Sequence, residues 1–104
     1  MRILIVEDDE IIAEGLEYSL TSEGYEVSVA GTVKAALEFV RKKPSFDFCL
    51  LDVILPDGNG FDICQKIRET SQVPILFLTS CDDEVSTIRA LDLGADDYIA
   101  KPFR

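Results

Sequence analysis

Phe48, Cys49, Leu50 and Leu51 form an apolar run that ends in one carboxylate, Asp52, and is followed by Val53, Ile54, Leu55 and a turning residue, Pro56. A strand without polar alternation is covered on both faces, which places it inside a parallel sheet flanked by helices. Asp52 then stands at its carboxyl end, the edge where open α/β sheets bind ligands. A second run, Ile3, Leu4, Ile5 and Val6, ends in the same way at Glu7, Asp8 and Asp9. Two strands are therefore expected to aim carboxylates at one rim.

Read in order, the chain alternates strands with helices. Residues 2–6 are apolar and partly β-branched, as a doubly covered strand requires. Ile12, Leu16 and Leu20 recur every four residues on a helix predicted to end near Ser22, with Asp9 as its N-cap and Gly24 as a left-handed stop. Residues 25–30 read as a second strand, and Thr32 caps a helix carrying Val33, Ala36, Leu37 and Val40 on one side. Lys42, Lys43 and Pro44 end it, because proline cannot continue a helix and disfavours helical geometry just ahead of itself.

The central strand follows at about residues 47–51, and a turn cluster of Pro56, Asp57, Gly58, Asn59 and Gly60 opens a helix at about 61–69. Pro74 leads a fourth strand, 75–78, that delivers Thr79 and Ser80 to the rim of Asp52. Asp82 and Asp83 suit the start of a fourth helix with Val85, Ile88 and Leu91 as its buried stripe and Gly94 as its stop. Residues 98–100 form a short fifth strand, which Lys101 and Pro102 leave.

Parallel strands joined by helices need right-handed crossovers. The expected fold is a flavodoxin-like, doubly wound α/β domain with a five-stranded parallel sheet in the order 2-1-3-4-5. Handedness then places the first helix alone on one face and the other three on the opposite face. One helix does not cover such a sheet, so residues 1–104 read as a single domain cut after its fifth strand, with a final helix expected beyond Arg104.

The length of 104 residues suits one compact domain with a real core. Twenty acidic against ten basic residues, a formal charge of −10, argue against phosphate-backbone binding, so this chain is expected not to contact nucleic acid. No apolar run approaches the roughly 18 residues of a membrane span, and the amino terminus has no signal-peptide pattern. Cys49, Cys64 and Cys81 contain no CxxC pair and read as reduced packing residues of a cytoplasmic protein.

Glu7, Asp8 and Asp52 at one rim repel one another, and such a group is costly unless a cation neutralises it. Carboxylates, a backbone carbonyl and water are the oxygen ligands that Mg²⁺ takes. Asp8 and Asp52 are the expected direct ligands, with Glu7 acting through water and the backbone carbonyl of Ile54 turned inward. A carboxylate can also attack phosphorus to give an acyl phosphate, provided metal and cationic groups offset the charge. Asp52 is the candidate nucleophile, Lys101 the candidate cation and Thr79 the candidate hydroxyl donor. Each has a plainer reading. The acidic triplet favours a helix N-terminus, Lys101 is a solvated lysine, Thr79 ends a strand and Tyr98 is a packed aromatic. Convergence on one edge is what sets the group apart.

The acidic pair Glu7 and Asp8, the segment from Asp52 to Gly60, Thr79 with Ser80, and Lys101 with Pro102 and Phe103 together resemble the receiver (CheY-like) domains of two-component response regulators over almost the whole chain. The resemblance implies that Asp52 accepts a phosphoryl group from a histidine of a partner sensor kinase, with Mg²⁺ held by Asp8, Asp52 and the Ile54 carbonyl. It implies that Lys101 and Thr79 bind the phosphoryl oxygens and that Tyr98 turns inward as Thr79 moves. The chain contains no histidine, which agrees with a phosphodonor in another molecule.

Residues 94–103 look most like the OmpR-like branch, whose members carry a winged-helix DNA-binding domain after the receiver. Output to DNA would run through such a domain beyond Arg104. Self-association of this chain is expected through the fourth helix and fifth strand or through the uncovered sheet face. A phosphohydrolase reading would want an acid/base two residues after Asp52, where Ile54 stands. A binding module that never takes phosphate would not need every one of these polar groups. Ile54 and Cys81, flanking the phosphoryl group, offer no strong general base, which predicts slow self-hydrolysis.

Overall fold

The computed structural model describes residues 1–42, 46–79 and 97–100, with Thr79 and residues 97–100 described by their backbone. In chain order the elements are β1 (Arg2–Val6), α1 (Glu10–Ser22), β2 (Glu26–Ala30), α2 (Val33–Lys42), β3 (Phe48–Asp52), β4 (Ile54–Leu55), β5 (Gly58–Asn59), α3 (Gly60–Arg68), β6 (Ile75–Thr79) and β7 (Asp97–Ala100). Five strands form one sheet in the order β2-β1-β3-β6-β7, and every neighbouring pair is parallel. Counted along that sheet, the order is the expected 2-1-3-4-5. The fourth helix expected from Asp82 to Gly94 lies outside the described residues.

Successive strand residues point to opposite faces, and the two faces meet different helices. Leu4, Val6, Cys49, Leu51, Ile75 and Phe77 pack with Ala36 of α2 and with Phe61, Ile63, Cys64 and Ile67 of α3. Ile3, Ile5, Leu50 and Leu78 point the other way, against Leu16 and Leu20 of α1. The handedness expectation thus holds for these three helices. Cys49 and Cys64 are free thiols inside the first of these clusters, and burial pushes Cys49 up to about 12. Among the described residues no helix is long and apolar enough to cross a membrane.

Local chemistry sets the helix starts. Asp9, in extended geometry, accepts at Oδ1 from the N–H groups of Ile11 and Ile12 at 3.0 and 3.3 Å. Thr32 Oγ1 accepts from Ala35 N at 3.0 Å. Gly24 follows α1 at φ 91°, a left-handed position that side chains resist.

Boundaries move by a residue where a longer-range bond intervenes. Tyr25 N donates back to Leu20 O at 3.2 Å, so it closes α1 and β2 begins at Glu26. Asp47 precedes β3 and is tied to Arg2 at the start of β1: its N–H donates to Arg2 O at 2.8 Å and its carboxylate accepts from Arg2 N at 2.7 Å. At the other end, Asp52 is a strand residue in register with Leu78. The turn cluster contains a two-stranded antiparallel pair, Ile54 with Asn59 and Leu55 with Gly58. Asn59 then caps α3 one residue earlier than expected, accepting from Asp62 N at 3.1 Å.

Candidate functional site

β1 and β3 are neighbours with Val6 opposite Leu51, so the residues that follow, Glu7 and Asp8 on one strand and Asp52 on the other, reach the same rim. One carboxylate oxygen from each of these three side chains lies within 4.8 Å of the others. Glu7 and Asp52 are buried, 2% and 5% exposed, while Asp8 is exposed at the mouth. Two unit charges at such a spacing repel by about 3 kcal/mol at an effective dielectric of about 20. The fold holds them there all the same.

The backbone supplies the restraint. Glu7 N donates to Ala30 O at 2.9 Å, which extends the β1–β2 ladder into the acidic turn, and Glu7 Oε2 accepts from Asp9 N at 3.1 Å. The division of labour in the triplet is now clear: Asp9 caps α1, and Glu7 and Asp8 belong to the pocket. On the β3 side, Val53 N donates to Leu78 O at 3.1 Å, and Gly60 N returns to Val53 O at 2.9 Å. Gly60 needs to be glycine for close approach, since a Cβ there would collide with the Asp52 carbonyl oxygen and crowd Phe77. Phe61 next to it meets Phe77 in a tilted ring pair, centroids 5.2 Å apart.

Other expected site residues fall near this rim to differing degrees. Ile54 starts β4 two residues past Asp52, with its side chain 64% exposed and its backbone paired to Asn59. Thr79 ends β6 one residue past Leu78, the register partner of Asp52, and aligns with Ala100 of β7. Tyr98 aligns with Phe77, further from the rim. Ser80, Cys81 and Lys101 lie outside the described residues.

Asp57 is a residue whose part was not visible in the sequence. It sits at the tip of the β4–β5 hairpin and accepts from Val33 N at 2.7 Å and Lys34 N at 3.1 Å, the first turn of α2. These backbone bonds, Val33 first, hold its carboxyl below the usual aspartate value of 3.8. Nothing in a local window signals a cap donated from 24 positions away.

An oxygen-only set of two buried carboxylates and one open to solvent fits a hard cation that keeps some of its water, the coordination habit of Mg²⁺. Fold and pocket together define a flavodoxin-like α/β domain with an acidic centre at the carboxyl ends of β1 and β3. The chain belongs to the response regulator receiver domain family, which it matches over residues 3–104.

Its relatives are OmpR-like regulators. It is 48% identical over 103 residues to the regulatory protein VanR of Enterococcus faecium, covering 99% of this chain and 44% of VanR. It is 46% identical over 104 residues to the DNA-binding response regulator MtrA of Mycolicibacterium paratuberculosis, covering 99% of this chain and 45% of MtrA. The BeF3-activated N-terminal receiver domain of Klebsiella pneumoniae RstA superposes with a TM-score of 0.90 at 33% identity, covering 100% of this chain and 88% of that one. The chain thus spans under half the length of these curated relatives.

Proposed function

We propose that this receiver domain accepts a phosphoryl group on Asp52 from a phosphohistidine of a partner sensor kinase, in a Mg²⁺-dependent reaction, and thereby switches the surface that controls an output domain. The observation that carries this reading is a buried Asp52 grouped with Glu7 and Asp8 at the carboxyl rim of the sheet. Asp8, Asp52 and the Ile54 carbonyl would hold the ion directly and Glu7 through water. Bound there, Mg²⁺ offsets charge on the carboxylates and the incoming phosphoryl oxygens.

An Asp52 oxygen attacks phosphorus, the P–N bond to the donor imidazole breaks, and the bonding pair returns to that imidazole, which takes up a proton. The product is an acyl phosphate. Burial of Asp52 limits the water that competes for the same phosphorus. In this reading the Lys101 ammonium and the Thr79 hydroxyl bind the phosphoryl oxygens, and Thr79 and Tyr98 reorder together to bias the fourth helix and β7. The relative MtrA is named a DNA-binding response regulator, which supports an output through a separate DNA-binding domain. The domain acts in the cytoplasm, where the kinase's phosphohistidine is found, and activated copies associate through the face of the fourth helix and β7.

The test is direct. Incubation with a small phosphodonor and Mg²⁺ adds one phosphoryl group to the intact mass, and Asp52→Asn abolishes the addition. No added phosphate, or addition that survives Asp52→Asn, would overturn the assignment. Loss of the label within seconds in purified protein would overturn the slow self-hydrolysis expected from Ile54 and Cys81.

A further inference from the structure

We infer that Asp57 is a positioning residue for the metal site: its carboxylate pins the hairpin that follows Asp52 to the first turn of α2 and so sets the affinity for the divalent ion. The inference rests on the reading of Glu7, Asp8, Asp52 and the Ile54 carbonyl as that site.

Three observations converge on the hairpin. Its base is tied by Ile54 pairing with Asn59 and by Gly60 N donating to Val53 O at 2.9 Å, directly behind Asp52. Its tip is held by both Asp57 oxygens, Oδ1 on Val33 N at 2.7 Å and Oδ2 on Lys34 N at 3.1 Å. Beside them, Gly58 packs so tightly on α2 that a Cβ would sit 3.1 Å from Val33 Cγ2. The contact is also favourable electrostatically, because a carboxylate at a helix N-terminus faces the positive end of the helix dipole. Together with the Thr32 hydroxyl on Ala35 N, Asp57 satisfies donors of that first turn which have no partner within the helix.

The consequence for chemistry lies at Ile54. Asp57 is not a member of the acidic cluster, yet it anchors the strand pair that begins at Ile54. With the tip fixed to α2, the Ile54 carbonyl has little freedom relative to Asp52. With the tip released, placing that oxygen on the ion would cost ordering of the hairpin at the moment of binding. Residues that orient a ligand in this way change metal affinity by about tenfold or more when lost.

Two substitutions separate position from charge. Asp57→Asn removes the charge and one strong acceptor. Val33→Pro removes the N–H that donates at 2.7 Å while leaving Asp57 charged, and proline is accommodated at the first position of a helix. Mg²⁺ affinity of the full 104-residue chain is read by calorimetric titration, and phosphorylation by a small donor is followed as a function of Mg²⁺. Both variants are expected to bind Mg²⁺ about tenfold more weakly, with a raised half-saturating Mg²⁺ and an unchanged rate at saturation. A core variant, Ile67→Val, is expected to lower the unfolding midpoint and leave Mg²⁺ affinity alone.

Affinity within twofold of wild type in both variants overturns the inference, and so does weakening in Asp57→Asn alone, which would make the effect one of charge. An equal loss in Ile67→Val would reduce it to general destabilisation and overturn it as well. Asp8→Asn and Asp52→Asn test the parent reading separately. If neither weakens Mg²⁺ binding, the metal site itself is wrong and this inference falls with it.

Discussion

β3 passes through two environments within four residues. Cys49 and Leu51 lie in the apolar layer under α2 and α3, where every neighbour gains from contact with the next. Asp52, one position further, joins two other carboxylates within 4.8 Å, where neighbours repel. The layer is built for stability. The rim is held against its own electrostatics by that layer and by the ladder bonds on either side, as expected where function needs a charge that folding would prefer to disperse.

The largest effect should come from breaking the layer. Phe77, fully buried and paired with Phe61, is expected to cost about 3–5 kcal/mol on replacement by alanine, read by urea unfolding. A cost under about 1 kcal/mol would mean that the layer does not support the rim as described.

Next in size is the response of the rim to the ion proposed for it. Mg²⁺ at a hundredfold excess over its dissociation constant should raise the unfolding free energy by about 2.7 kcal/mol, and Asp8→Asn should remove most of the gain. Thermal midpoints with and without the ion check this.

Smaller again, Asp52→Asn in metal-free protein should stabilise the fold by about 1 kcal/mol, since it removes one repelling charge and keeps the shape. A clear loss of stability would show that repulsion within the trio is not what dominates the energetics of Asp52. The contrast between layer and rim would then be weaker than drawn.

The smallest effect concerns the buried thiol. Cys49 is pushed up to about 12 by burial, so the folded state holds its proton more tightly than the unfolded chain, whose thiol has the ordinary value of 9.0. Its contribution to stability is complete below that ordinary value and declines as pH rises from there toward about 12. Alkylation of Cys49 at neutral pH should proceed at the rate of unfolding, as peptide mapping would show. Fast labelling of native protein would place it outside the layer.

Several features were readable from the chain alone because their causes are local. Asp9 and Thr32 cap helices through side chains that bond two or three residues ahead. The uninterrupted apolar runs of β1, β3 and β6 point to strands covered on both faces, and for a flavodoxin-like strand order crossover handedness then assigns α1 to one face and α2 and α3 to the other. Asp52 and the pair of Glu7 and Asp8 stood out because each ends such a run. The β4–β5 pair shows in the sequence only as a turn, because two-residue strands have no periodicity to detect. Tyr25 and Asp47 look like strand residues in the sequence, whereas their partners, Leu20 and Arg2, are set by how segments meet.

Residue type and spacing therefore settled the five strands of the main sheet, the first three helices and which side chains stand at strand ends, since hydrophobic period, caps and breakers act over a few residues. Packing settled how near Glu7 and Asp8 come to Asp52, why position 60 tolerates no side chain, and that Asp57 reaches the start of α2. Those relations reach well beyond any local window, and their distances follow from sheet register and helix docking, which arise from the whole core acting together.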